Sequence, residues 1–128
     1  MGHYKSNLRD IEFNLFEVLG RGDVLGTGPY EEVDVDTARE MLKEENELAE
    51  SFEDSDRHPP VYDPKTQAVT MPESFAKSFN AYRDSGFWSI DLNAELGGTV
   101  VPPSVRWGVN EMLLGSNPAV AMFAASYG

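Results

Sequence analysis

There is no cysteine in the 128 residues, which excludes disulfides, thiolate metal sites and thiol nucleophiles. Cations are scarce as well. Lys and Arg number 10 against 22 Asp and Glu, and the resulting net charge of -12 repels phosphate backbones and anionic bilayers, so nucleic acid is not expected as a partner. No apolar run approaches the roughly 18 residues of a membrane span. The first ten residues hold no apolar stretch that could act as a secretory signal, and a cytoplasmic protein is the expectation. Only two histidines are present. His3 and His58 each lack a second ligand or base at any motif spacing, so both are expected in exposed loops.

What is there is apolar enough to fold: with 41% hydrophobic residues the chain is too rich in core formers for disorder, and its length suits one domain. The pattern is helical. Leu8, Ile11, Leu15, Val18 and Leu19 recur at helical spacing between Ser6 and Leu19, with Phe13 and Phe16 off the stripe, which predicts a first helix apolar on more than one side. Gly20, Gly22, Gly26 and Gly28 follow. They imitate a phosphate-cradling loop, yet no β-rich run precedes them, no Lys-Ser/Thr follows, and Glu31, Glu32 and Asp34 lie just downstream, so a flexible connection is expected.

A second helix is predicted from a cap at Asp36 or Thr37, with Thr37 and Glu40 as a capping box, to about Phe52. Ala38, Met41, Leu42, Leu48, Ala49 and Phe52 form its buried stripe. Glu44, Glu45, Glu47 and Glu50 are assigned to the solvated remainder, since carboxylates spread round a helix with no nearby His are not a metal site. A polar stretch from Glu53 to Pro60 leads to two short extended pieces about an Asp63-Pro64 turn, a small surface hairpin. Pro72 opens a third helix through Asp84 with an aromatic core stripe of Phe75, Phe79 and Tyr82, ended by Gly86.

From Gly86 to Pro103 an extended, half-buried connection is expected, reversed by Gly97-Gly98. A fourth helix from about Pro103 to Leu114 turns Val105, Val109, Met112 and Leu113 inward and stops at Gly115. Asn117-Pro118 caps a fifth, which is apolar all round through Tyr127. Such a helix needs burial on all sides. The preceding residues do not obviously supply that cover, and further chain beyond Gly128 is the expectation.

The run Gly86-Phe87-Trp88-Ser89-Ile90-Asp91-Leu92-Asn93-Ala94-Glu95-Leu96-Gly97-Gly98, a proline-started helix bearing Glu111, then Gly115 and an apolar helix, resembles the N-terminal α-helical domain of flavin-dependent acyl-CoA dehydrogenases. Leu92-Asn93-Ala94-Glu95 departs from that family's segment by lacking its proline. The opening from Tyr4 to Asp10 with Phe13 to Glu17, and Asp56-Arg57 followed by Pro59-Pro60-Val61 and Asp63-Pro64, resemble an N-terminal extension found in a bacterial subgroup. The implied fold is all-α and bundle-like, with a hairpin or irregular segment near 60–70. The implied organisation is an extension over 1–35 and the helical domain over 36–128, cut within its last helix.

The resemblance implies an enzyme that desaturates acyl-CoA thioesters at the α,β bond using FAD in fatty acid β-oxidation, homo-oligomeric when complete, with electron transfer flavoprotein as acceptor. It implies no catalytic, flavin-binding or metal-binding residue in this chain, and inactivity of the chain alone. Glu95 and Glu111 do not match the family's base position. By alignment from Glu111 and Gly115, the residues implied to face the acyl chain are Ala121, Ala124 and Ala125, with Met122 and Phe123 as further candidates. Small side chains there leave pocket volume, although the same alanines also suit ordinary helix packing. A stand-alone helical interaction module without catalytic activity is the alternative reading.

Overall fold

The computed structural model describes residues 4–125. His3, Ser126, Tyr127 and Gly128 lie outside the described residues, as does the side chain of Ala125. The elements in order are α1 (Leu8–Glu12), which continues as a π-helix over Phe13–Val18, then α2 (Val35–Glu50), α3 (Glu53–Arg57), β1 (Val61–Asp63), β2 (Ala68–Thr70), α4 (Glu73–Ser85), α5 (Pro103–Ser116) and α6 (Pro118–Ala125). The fold is all-α apart from the β1–β2 hairpin, in which Val61 pairs with Thr70 and Asp63 with Ala68.

The first helix departs from its expected face. Asn7 caps α1 by accepting from the Asp10 amide, and Ile11 and Leu15 are buried as the stripe requires. Val18 and Leu19 are instead exposed. The wider i→i+5 register, seen in the bond from the Leu19 amide to the Asn14 carbonyl, rotates the last turn out of phase with a 3.6-residue stripe. Phe13, off the stripe, is exposed too, so its side of the helix is not buried. Phe16 lies under the Arg39 guanidinium, 4.5 Å from its ring centre.

The second helix starts earlier than its capping box suggested. Asp34 is the cap: its Oδ1 accepts from the Thr37 amide at 2.8 Å, which makes Thr37 the third helical residue and not the cap. That bond holds the Asp34 carboxyl below the usual carboxylate range. Burial selects this start, since Val33 before the cap and Ala38 after the first turn are both buried and staple the entry of the chain. At the other end α2 stops at Glu50, and the polar stretch after it is the short helix α3 and not a loop. His58 is exposed at the end of α3, its Nδ1 2.9 Å from the Asp54 carbonyl oxygen.

The connection from Gly86 to Pro103 is not extended. It folds as two short 3₁₀ turns, Phe87–Ser89 and Ala94–Leu96, with Ile90 buried between them and Gly97 in the left-handed region at φ 80°. The fourth helix also runs through its expected stop at Gly115 and ends at Ser116. Gly115 is a packing residue, because a Cβ there would sit 3.0 Å from the Tyr4 ring. Gly108 has the same role about two turns earlier on that face, where a Cβ would lie 3.1 Å from Ile11 and 3.3 Å from Leu42. Its missing side chain lets α1 and α2 close on α5.

The core is centred where α2 lies along α5, with Leu42, Ala49, Phe52, Val105, Val109 and Met112 almost wholly buried. One α2 residue contradicts its assignment to the solvated face. Glu45 is fully buried, because Leu42, Ala49 and Phe52 stand three residues before, four after and seven after it and carry their stripe across it. Beneath α2 a polar knot joins four helices. Ser55 Oγ donates to the Phe52 carbonyl and accepts from Ser78 Oγ and Asn117 Nδ2, each bond 2.8 Å. Ser116 Oγ donates to the Ala49 carbonyl.

Candidate functional site: a groove between α4, α5 and α6

Asn117 fixes where the last helix starts. Its Oδ1 accepts from the Val120 amide at 3.1 Å while Pro118 fills the first helical position, so cap and proline act as the sequence predicted. Helix α6 then lies against α4 and α5. Val120 and Ala121 are buried; the helix is not covered all round, since Met122 is 70% exposed.

Between these three helices and the 87–91 turn runs a groove of about 850 Å³. Its apolar walls are Phe79 and Tyr82 of α4, Phe87 and Ile90 of the turn, Leu113 and Leu114 of α5, and Ala121 and Ala124 of α6. The earlier turns of α5 add Arg106, Trp107 and Asn110, and Arg83, Trp88 and Asp91 complete the lining. The α5 side of the groove thus passes from polar to apolar residues along the helix. Arg106 is committed to an ion pair with Asp91, and Arg83 to Asp84 at 2.9 Å. Burial pushes the Tyr82 hydroxyl up to about 12, so it is a neutral hydrogen-bond donor at physiological pH.

The structure divides the five residues that the resemblance singles out. Ala121 and Ala124 line the groove. Phe123 turns toward α4 and meets Phe75 and Phe79 edge-on at 5.9 and 5.0 Å, wedging α6 against that helix. Met122 is largely exposed and is not among the groove's lining residues, and the side chain of Ala125 lies outside the described residues. Trp88, Trp107 and the Arg106–Asp91 pair were not singled out as site residues by the sequence. Their signal was available in the two tryptophans, which are costly residues to leave on a surface.

The remaining carboxylates form no further centre. Glu95 and Glu111 are exposed, and among the described residues no group of three or more His, Asp or Glu side chains could hold a metal ion. The Gly20–Tyr30 stretch folds into two short 3₁₀ turns around buried Leu25. No helix among the described residues is long and apolar enough to cross a membrane.

No family model matches the chain. Among curated proteins it is 51% identical over 133 aligned positions to the broad-specificity linear acyl-CoA dehydrogenase FadE5 of Mycobacterium tuberculosis. That match takes in 100% of this chain but 22% of the relative, so the chain spans about a fifth of the protein it resembles. Over its whole length, then, this all-α chain is similar to the N-terminal part of an acyl-CoA dehydrogenase.

Proposed function

We propose that this chain supplies one wall of the acyl pocket in an FAD-dependent acyl-CoA dehydrogenase that desaturates acyl thioesters in the cytoplasm. The observation that carries the reading is the groove itself, to whose lining α6 contributes only the small residues Ala121 and Ala124, beside Phe79 and Tyr82 of α4. We assign acyl contact to Ala121, Ala124 and Ala125. Phe123 acts behind that face by holding α6 to α4, and Met122 is assigned to the surface presented to the rest of the enzyme. Residues 1–35 are taken as the extension and 36–128 as the helical domain.

We assign the flavin to other parts of the enzyme. The two arginines of the groove are already paired with Asp91 and Asp84, and among the described residues the glycine-rich Gly20–Tyr30 stretch is taken up by two short 3₁₀ turns and does not lead directly into a helix. The chain alone is therefore expected to be inactive. Binding of FAD, assembly into a homo-oligomer and electron delivery to electron transfer flavoprotein are assigned to the complete enzyme.

The test is a titration with decanoyl-CoA, followed by the emission of Trp88 and Trp107 at the groove rim. Saturable quenching is expected, and Ala124→Phe, which narrows the groove without adding a fluorophore that competes with the two tryptophans, is expected to weaken it about tenfold, roughly 1.4 kcal/mol. Equal titrations of the two proteins would remove the groove from acyl binding.

The exposure of Met122, Trp107 and Leu114 at 70, 62 and 45% favours a second reading, a helical interaction module without catalysis. It expects a stable dimer or heteromer on sedimentation that acyl-CoA leaves unchanged.

A further inference from the structure

Trp107 lines a second groove as well, which runs between the first helix and α5 and measures about 410 Å³. Asp10, Asn14 and Leu19 line it from the first helix, and Ser104, Trp107 and Glu111 from α5. Those three α5 positions stand at i, i+3 and i+7, which is one face of a helix.

The charged lining is of one sign. Asp10 and Glu111 are both exposed, neither is in an ion pair among the described residues, and no Lys or Arg lines the groove. The asparagines do not neutralise it. Asn14 Nδ2 donates to the Asp10 carbonyl at 2.8 Å and Asn7 Nδ2 to the Asp10 carboxylate at 2.6 Å, so both amides are engaged within the first helix and its cap. What the groove offers an occupant is carboxylate, and a cation is its natural partner.

The apolar lining is set apart by its exposure. Leu19 and Trp107 stand 55 and 62% exposed, one from each helix that forms the groove. Leu19 follows Ile11 and Leu15 at four-residue spacing, so a regular helix would carry it toward their buried face, whereas the π turn over Phe13–Val18 brings it out. An indole beside two carboxylates suits guanidinium better than ammonium. The planar fork stacks on an aromatic ring and bonds a carboxylate through two N–H groups at once.

We propose that this groove is a docking site for an apolar protein segment carrying one arginine, with the guanidinium held by Asp10, Glu111 and the Trp107 ring and its apolar neighbours resting on Leu19. The source of the segment rests on the reading proposed above: it comes from the part of the enzyme outside this chain, which covers 22% of its relative. A second copy is the poorer occupant. Each copy carries a net charge of -12, so two copies repel one another before any arginine reaches the groove.

The test titrates the chain with the peptide acetyl-Ala-Leu-Arg-Leu-Ala-amide and follows the backbone amide shifts by NMR. Saturable shifts confined to residues 10–19 and 104–111 are expected. Binding is expected to weaken about fivefold in Glu111→Gln, in Leu19→Ser, or when citrulline replaces the arginine, the scale of one exposed ion pair or one lost apolar contact. Glu47→Gln, which removes the same charge from the exposed face of α2, should leave the titration unchanged. Shifts scattered over the whole acidic surface, or a citrulline peptide that binds as tightly, would overturn the proposal. So would a dimer on sedimentation that Glu111→Gln dissociates, since it gives the groove to a second copy. No acyl ligand enters these measurements, so a failure here is read separately from a failure of the acyl groove.

Discussion

Replacing Asn117 by Ala is expected to lower the unfolding free energy by about 3 kcal/mol, a large loss for a single small polar side chain. Two terms add. The α6 cap is lost when Oδ1 no longer accepts from the Val120 amide, which costs about 1 kcal/mol. The second term is the knot below it. Asn117 is 1% exposed and its Nδ2 donates to Ser55 Oγ, so its removal strips one partner from a hydroxyl that water cannot reach, at about 2 kcal/mol. Asn117→Ser separates the two terms, since a serine oxygen can cap Val120 but has no second arm for Ser55, and a loss of about 2 kcal/mol, roughly two thirds of that in Asn117→Ala, is expected. Urea unfolding of the three proteins measures this. A loss below about 0.5 kcal/mol in Asn117→Ala would mean that the knot carries little energy.

Asn117 also shows how far the sequence could be read. Its cap, Pro118 at the first helical position and the inward set Val105, Val109, Met112 and Leu113 were legible because they depend on local spacing alone. Local spacing failed wherever a distant contact decided the outcome. Gly115 reads as a stop in one dimension, yet the reason for it is a tyrosine more than a hundred residues earlier. Glu45 reads as a surface charge by type, although its place in the stripe with Leu42, Ala49 and Phe52 marked the position as buried. The π turn that exposes Val18 and Leu19 has no counterpart in residue pattern, since the same sequence fits a regular helix equally well. At the candidate site the resemblance pointed to α6 and reached Ala121 and Ala124. The opposite wall was read only as core, because a stripe such as Phe79 and Tyr82 does not say which of its faces remains uncovered.

Gly98 gives the harsher test of that compact 86–101 connection. A Cβ placed on Gly98 would lie 2.4 Å from both the Cβ and the carbonyl oxygen of Leu92, and 2.7 Å from its carbonyl carbon. Two of these atoms are backbone, so no rotamer change can relieve the overlap. The backbone is also tied on both sides, by the Gly98 amide to the Asn93 carbonyl at 3.2 Å and the Thr99 amide to the Ser89 carbonyl at 3.1 Å. Gly98→Ala is therefore expected to cost about 3 kcal/mol, near the upper end for forced overpacking. Gly97→Ala is the matched control, because that position has open space around it and only its left-handed φ to penalise a side chain, about 1 kcal/mol. The difference should reach the groove as well. Asp91 sits on the turn that the new Cβ would displace and pairs with Arg106 of α5, so Gly98→Ala is expected to loosen that pair and weaken acyl-CoA quenching of Trp88 and Trp107, while Gly97→Ala leaves both in place. Equal unfolding midpoints for the two variants would show that the approach of Gly98 to Leu92 is not what holds the turn closed.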